Sequence, residues 1–148
     1  MRLLLPLLLV VLVSLAPVRA QVSFAPMIGY DIDAEAATLG LAFEFAAPLV
    51  AAPLQPAIRP SVEFIFFDSD ATYVRADGDL IARFDTGGPL MPYAKGGVTV
   101  EYFDSGVIDN TEVGLNLGGG VEVNRVFVEG AVGFGDISDL RVRAGFRF

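Results

Sequence analysis

The sequence predicts an all-β fold: an eight-stranded antiparallel up-and-down barrel, preceded by a cleaved signal peptide. Three observations predict it. Hydrophobicity alternates with a period of two from Gln21 onward. The alternating segments number eight, an even count, and turn-forming residues separate them. An apolar leader precedes them and shares none of their pattern. A period of two places successive side chains on opposite faces of a strand, whereas a helix would smear them around its circumference.

The leader, Met1–Ala20, has Arg2 as a short positive region, an apolar run over Leu3–Leu15 and small residues at Val18 and Ala20. That pattern is a secretory signal peptide, with cleavage expected before Gln21. Residues 1–20 are therefore the leader and residues 21–148 the barrel domain. The apolar run is shorter than the roughly 20 residues a spanning helix needs.

The first segment, Val22–Asp31, sets Phe24, Ile28 and Tyr30 against Ser23 and Asp31. The second, Thr38–Ala46, sets Leu39, Leu41, Phe43 and Phe45 against Thr38 and Glu44. In the third, Ala57–Phe67, Ile58, Val62, Phe64 and Phe66 oppose Arg59, Ser61 and Glu63. The fourth, Thr72–Phe84, opposes Val74, Ala76, Leu80, Ala82 and Phe84 to Arg75, Asp77, Asp79 and Arg83. The fifth, Pro92–Phe103, carries Ala94, Val98, Val100 and Tyr102 against Tyr93, Lys95, Thr99 and Glu101. Thr111–Val123 follows, with Val113, Leu115, Leu117, Val121 and Val123 against Glu112, Asn116 and Glu122. Val126–Phe134 has Val126, Val128, Val132 and Phe134 against Glu129. The last, Leu140–Phe148, is the clearest: Leu140, Val142, Ala144, Phe146 and Phe148 oppose Arg141, Arg143, Gly145 and Arg147. Pro48 and Pro53 argue against a helix over Ala46–Leu54.

Alternation does not say which face is inside. A soluble, lipocalin-like barrel binding a small apolar ligand is apolar within; a membrane barrel is apolar without. The polar faces carry Glu44, Glu63, Asp77, Asp79, Glu101, Glu112, Glu122 and Glu129 against Arg59, Arg75, Arg83, Lys95, Arg141, Arg143 and Arg147. These nearly cancel, although the whole chain has a net charge of −8. Enclosed charges must pair, because an unpaired buried charge costs several kcal/mol, on the order of 3–5. Glycine is interspersed on the same face at Gly40, Gly97, Gly114, Gly118, Gly120, Gly133 and Gly145, where it leaves room for long Arg and Glu side chains. Both features predict a transmembrane barrel with a charged, filled lumen. Its few inward apolar residues are Met27, Ile65, Phe67, Tyr73, Ile81, Tyr93, Phe103 and Phe127.

Several stretches resemble the small bacterial outer-membrane β-barrel proteins, the OmpA-like transmembrane domains also grouped as porin-family outer-membrane barrels. They are Arg59–Phe64, Asp77–Leu80, Pro92–Val98, Gly114–Glu122, Val126–Glu129 and Arg143–Phe148. The resemblance implies an outer-membrane location within lipid and lipopolysaccharide. It also implies that Phe146 and Phe148 act as the signal read by the barrel assembly machinery. It brings no catalytic residue and no cofactor.

Composition limits the chemistry further. The chain has no histidine and no cysteine. Histidine-dependent hydrolysis of the kind run by outer-membrane lipases, deacylases and proteases is thereby excluded. The carboxylate pairs Asp77/Asp79 and Glu112/Glu122 read as lumen ion-pair partners rather than as glycosidase acids. A sequence pI near 4.3 disfavours nucleic acid as a partner. Most acids outside the strands, Asp31, Asp33, Glu35, Asp68, Asp70, Asp104, Asp109, Asp136 and Asp139, fall at one rim, with Asp85 at the other. Such a rim would gather divalent cations that bridge to lipopolysaccharide, although no metal-ligand spacing is present. The sequence thus predicts a non-enzymatic envelope barrel, closed or at most a narrow ion pathway.

Overall fold

The computed structural model describes residues 21–46, 53–66, 72–104, 109–137 and 139–148. The expected signal peptide, residues 1–20, lies outside them. Eight strands follow one another: β1 Gln21–Asp31, β2 Ala36–Ala46, β3 Leu54–Phe66, β4 Thr72–Phe84, β5 Leu90–Asp104, β6 Asp109–Val123, β7 Val126–Gly135 and β8 Leu140–Phe146. Each pairs antiparallel with its sequence neighbours, and β1 pairs with β8 to close the barrel. Closure leaves no unpaired edge.

The boundaries differ from the sequence reading at strand ends, where pattern is weakest. β3 begins at Leu54 rather than Ala57 and takes Gln55 and Pro56 from the expected connection. β5 and β6 are each 15 residues, longer than expected. β8 ends at Phe146 rather than Phe148. Its hydrogen bonding nonetheless runs on: Arg147 N donates to Arg125 O at 2.8 Å and Phe148 N to Phe24 O at 2.9 Å.

Prolines sit within strands at Pro26, Pro56, Pro60 and Pro92. Proline cannot donate to a ladder. The effect is visible at Pro60: the β2–β3 pairing passes from Ala42↔Ser61 to Phe45↔Ile58, leaving out the two positions between. At the other extreme of local order, β6 and β7 are joined by Asn124-Arg125, both at positive φ (49° and 75°). That is the two-residue hairpin geometry whose twist matches the flanking strands.

The two faces separate by chemistry. Leu80 is 66% exposed on the outside, and Leu115 and Leu117 are 61% exposed, whereas Arg141 inside is 1% exposed. An eight-stranded barrel encloses just enough width for side chains. Glycine makes the enclosed fit possible. A Cβ at Gly145 would stand 2.7 Å from Phe127 Cε1 and 2.9 Å from Pro26 O. At Gly78, on the outside, it would meet nothing within 4 Å.

Gly145→Ala is therefore expected to destabilise the barrel by about 1–3 kcal/mol through overpacking. Gly78→Ala should be neutral or stabilising, by about 0.4–1 kcal/mol, since it only restricts the unfolded chain. Urea midpoints of the folded protein, followed by gel mobility before and after heating, check both.

Candidate functional site: the charged lumen

Inward positions of all eight strands converge on one column of charge, ordered in layers along the barrel. The end carrying the β1–β2, β3–β4, β5–β6 and β7–β8 connections is called the mouth, and the opposite end the base.

At the base, Arg83 of β4 grips Glu44 of β2 with both terminal nitrogens, Nη1 to Oε1 at 2.7 Å and Nη2 to Oε2 at 2.5 Å. Its Nε reaches Glu122 Oε2 of β6 at 3.2 Å. Arg147 closes the ring on the same two carboxylates, at 3.1 Å from Glu44 Oε1 and in direct contact with Glu122 Oε1. Two-pronged guanidinium–carboxylate pairs are geometrically specific as well as strong.

Above the ring lies an apolar shelf. Met27, Ile81, Tyr93 and Phe127 pack with the small residues Ala25, Ala42 and Ala57. The Arg59 guanidinium lies over both the Phe127 ring at 5.2 Å and the Tyr93 ring at 5.7 Å. An arginine suits this place because its flat, weakly hydrated face tolerates aromatic contact. Arg59 also pairs with Glu129, whose Oε2 accepts from the Tyr93 hydroxyl at 2.6 Å.

The middle layer is a continuous network. Lys95 Nζ stands 2.7 Å from Asp79 Oδ2 and 3.1 Å from Glu129 Oε1. Arg143 spans three acids: Glu63 at 2.7 Å, Asp77 at 2.5 Å and Glu129 at 3.5 Å. Arg141 reaches Asp77 at 3.3 Å and donates to Thr99 Oγ1 at 3.0 Å. Thr99 donates onward to Asp77 at 2.6 Å, and Asn116 donates to Asp79 at 2.9 Å. Every cation here touches more than one acceptor, which offsets the several kcal/mol lost on dehydrating each charge.

Nearest the mouth, Arg75 gathers four carboxylates. Its Nη2 is 2.6 Å from Asp31 and 2.8 Å from Asp139, its Nε is 2.5 Å from Glu101, and its Nη1 is 3.8 Å from Glu63. The Tyr73 hydroxyl donates to the other Glu101 oxygen. Over this cluster opens a cavity of about 280 Å³, bordered by Asp33, Glu112, Asp136 and Ile137.

Glu44, Arg59, Glu63, Arg75, Asp77, Asp79, Arg83, Lys95, Glu101, Glu122, Glu129, Arg141 and Arg143 are buried inside, and Arg147 is half-buried. Glu112 differs. It lies half-buried at the mouth, accepts from Asn110 Nδ2 at 2.9 Å, and enters none of the ion pairs found among the described residues. It sits near the open end of β6, where water reaches it. Asp31 and Asp139 differ in the other direction. Expected at the rim, they turn inward onto Arg75 and are 1% and 7% exposed. Asp31 also stands on the polar face of the first segment, the inward register of Met27, and that reading is the one that holds; parity with Arg141 and Arg143 is the signal for Asp139. With both inside, the lumen holds more acid than base rather than a near balance. Of the inward apolar residues, Tyr73 and Phe103 are half-buried at the mouth and Phe67 lies outside the described residues, as do Asp68 and Asp70. Phe146 and Phe148 sit on the outer face, where Phe148 stacks on Phe24 at 4.8 Å.

No family model and no curated protein matches the chain. Solved structures do. The N-terminal β-barrel domain of Pseudomonas aeruginosa OprF is similar at a TM-score of 0.61 and 15% identity, over 88% of this chain and 100% of that one. The Yersinia pestis outer membrane protein Ail, in a phospholipid bilayer nanodisc, is similar at 0.55 and 12%, over 88% and 100%. The outer membrane enzyme PagL is similar at 0.55 and 9%, over 84% and 96%. The fold is therefore the eight-stranded barrel of small bacterial outer-membrane proteins.

Proposed function

We propose that this chain is an integral outer-membrane barrel that serves the envelope as a closed, non-catalytic structural element. The observation that carries this reading is the segregation of side chains. Thirty-two large hydrophobic side chains are exposed among the described residues, while the charges turn inward. Fully burying one such side chain is worth about 1.5–3 kcal/mol. Leaving so many wetted would cost tens of kcal/mol, against a net stability of about 5–15 kcal/mol for a domain. Lipid removes that cost. A lipocalin-like carrier needs the opposite arrangement, an apolar interior, and is set aside for that reason.

Closure is supported by the cross-lumen ion pairs, which join β2 to β4, β3 to β7, and β4 to β1. A non-catalytic role is supported by the absence of histidine and cysteine and by the burial of Asp77, Asp79 and Glu122 within ion pairs. PagL shows that the fold also serves an enzyme; the distinction here rests on the residues. Lipid and lipopolysaccharide are the surrounding partners in this reading, and Phe146 and Phe148 supply the assembly signal. Divalent cations at the acidic rim would bridge it to lipopolysaccharide in the same reading; among the described residues no group of three or more acidic side chains is placed to hold a metal ion.

The protein should resist carbonate and urea washing of membranes and require detergent for release. Release by osmotic shock would sink the membrane assignment. In planar bilayers the purified barrel should pass little or no current; a large stable conductance would overturn closure. Leu117→Arg, in the middle of an outward face, should cost about 2–4 kcal/mol of stability in lipid. Arg143→Leu, which takes one cation from each of the buried carboxylates Glu63, Asp77 and Glu129, should cost about 3–5 kcal/mol. If the leucine were stabilising and the arginine harmless, inside and outside would be reversed.

A further inference from the structure

At the mouth, β4, β5 and β6 set two inward rows side by side. In the lower row Arg75 stands opposite Glu101, and Glu101 opposite Glu112. In the row above, Tyr73 stands opposite Phe103, and Phe103 opposite Asn110. Tyr73, Glu101, Phe103, Asn110 and Glu112 line a cavity of about 290 Å³. Strand register alone thus brings these lining residues together. The Tyr73 and Phe103 rings form one wall, with their centroids 5.7 Å apart.

The opposite wall is out of charge balance. Like charges directly across neighbouring strands repel each other. Glu101 is answered by Arg75 and by the Tyr73 hydroxyl, which donates to it. Glu112 is not answered in this way. Asn110 Nδ2 donates to its Oε1 at 2.9 Å, and no ion pair among the described residues reaches it. The connections at this end supply no base either: residues 32–35, 67–71, 105–108 and 136–139 contain no lysine or arginine. Arg75 already serves four carboxylates. A counter-charge for Glu112 has to come from solution.

We propose that this cavity binds a small primary ammonium ion carrying a short apolar stem. An ammonium group has N–H donors that need acceptors. The Asn110–Glu112 hydrogen bond occupies one glutamate oxygen and leaves Glu112 Oε2 and Asn110 Oδ1 to accept. The stem and the adjoining charge lie against the Tyr73 and Phe103 rings, whose faces attract a weakly hydrated cation. The Tyr73 hydroxyl donates to a carboxylate, which makes its ring richer in electrons and strengthens that attraction. A hard divalent metal fits less well, since it takes about six or more oxygen ligands and gains nothing from aromatic walls. A quaternary ammonium would leave both acceptors unused. The inference goes beyond the reading of a closed structural barrel and leaves it intact, because the cavity lies above the Arg75 layer and needs no passage through it.

Saturation-transfer NMR of n-butylammonium, titrated against the full barrel in nanodiscs of zwitterionic lipid with empty nanodiscs subtracted, tests the proposal. The parent is expected to give saturable binding. Glu112→Gln removes the charge from a residue outside the ion pairs and should weaken binding by about tenfold or more, as the loss of a charge-assisted hydrogen bond does. Phe103→Leu keeps the wall apolar but removes a ring, and should weaken binding by about two- to thirtyfold. Tetramethylammonium and Mg²⁺ should each displace the probe only at a concentration about tenfold higher or more, having no use for the two acceptors or for the rings. Absence of saturable binding in the parent, undiminished binding in either folded variant, or displacement by Mg²⁺ at equal concentration overturns the proposal. Heat-modifiable mobility shows whether each variant is folded. The competition series uses the parent alone, so it decides the matter if a variant fails to fold.

Discussion

Pairing of charge inside a closed ring of strands is the constraint on which the rest of this structure depends. A guanidinium or carboxylate removed from water loses several kcal/mol unless its hydrogen-bonding positions are taken up. Here the partners come from strands far apart in sequence, such as Arg59 and Glu129, or Arg83 and Glu44. Neither member of those pairs sits on a strand adjacent to the other's in the sheet. They meet only because the sheet curls until opposite walls face each other. Closure creates the pairs, and the pairs hold the walls at a fixed separation.

That arrangement dictates where small residues go. Long arginines crossing a narrow lumen leave no room for bulk on the facing backbone. Gly40 sits where a Cβ would meet Glu63 Cγ at 2.6 Å, and Gly120 where it would meet Tyr93 Cζ at 2.8 Å. The outside follows a different rule, set by a uniform apolar surrounding rather than by jigsaw fit. Gly78 and Pro60 can face each other there without consequence for packing.

The lumen is not uniform from end to end. The base is a tight ring of two arginines on two glutamates, capped by an apolar shelf. The mouth is the acidic end, where Arg75 serves four carboxylates beneath an open cavity. The two ends thus differ in make-up: strands and the chain's last residues supply the ring at the base, whereas at the mouth a connection supplies one of the charges, Asp139.

Much of this was legible in the amino-acid order. A period of two is a local property, so the eight strands, their alternating faces and the inward positions of residues such as Glu63, Arg75 and Arg143 follow from adjacent residues. β4 even begins and ends where the pattern says, at Thr72 and Phe84. Strand ends were less legible, because Gln55 and Pro56 join β3 through ladder bonds to a neighbour rather than through their own pattern. The composition of the lumen was legible, but its wiring was not. Which acid meets which base depends on stagger around the closed ring, a quantity no single segment encodes. Hence Glu112 stays at the mouth with Asn110, while Asp31 and Asp139, one ending a strand and one preceding another, swing onto the same nitrogen of Arg75. What each face is made of is written in the order of neighbouring residues. The tertiary structure decided who faces whom, because that is settled only when the first strand finds the last.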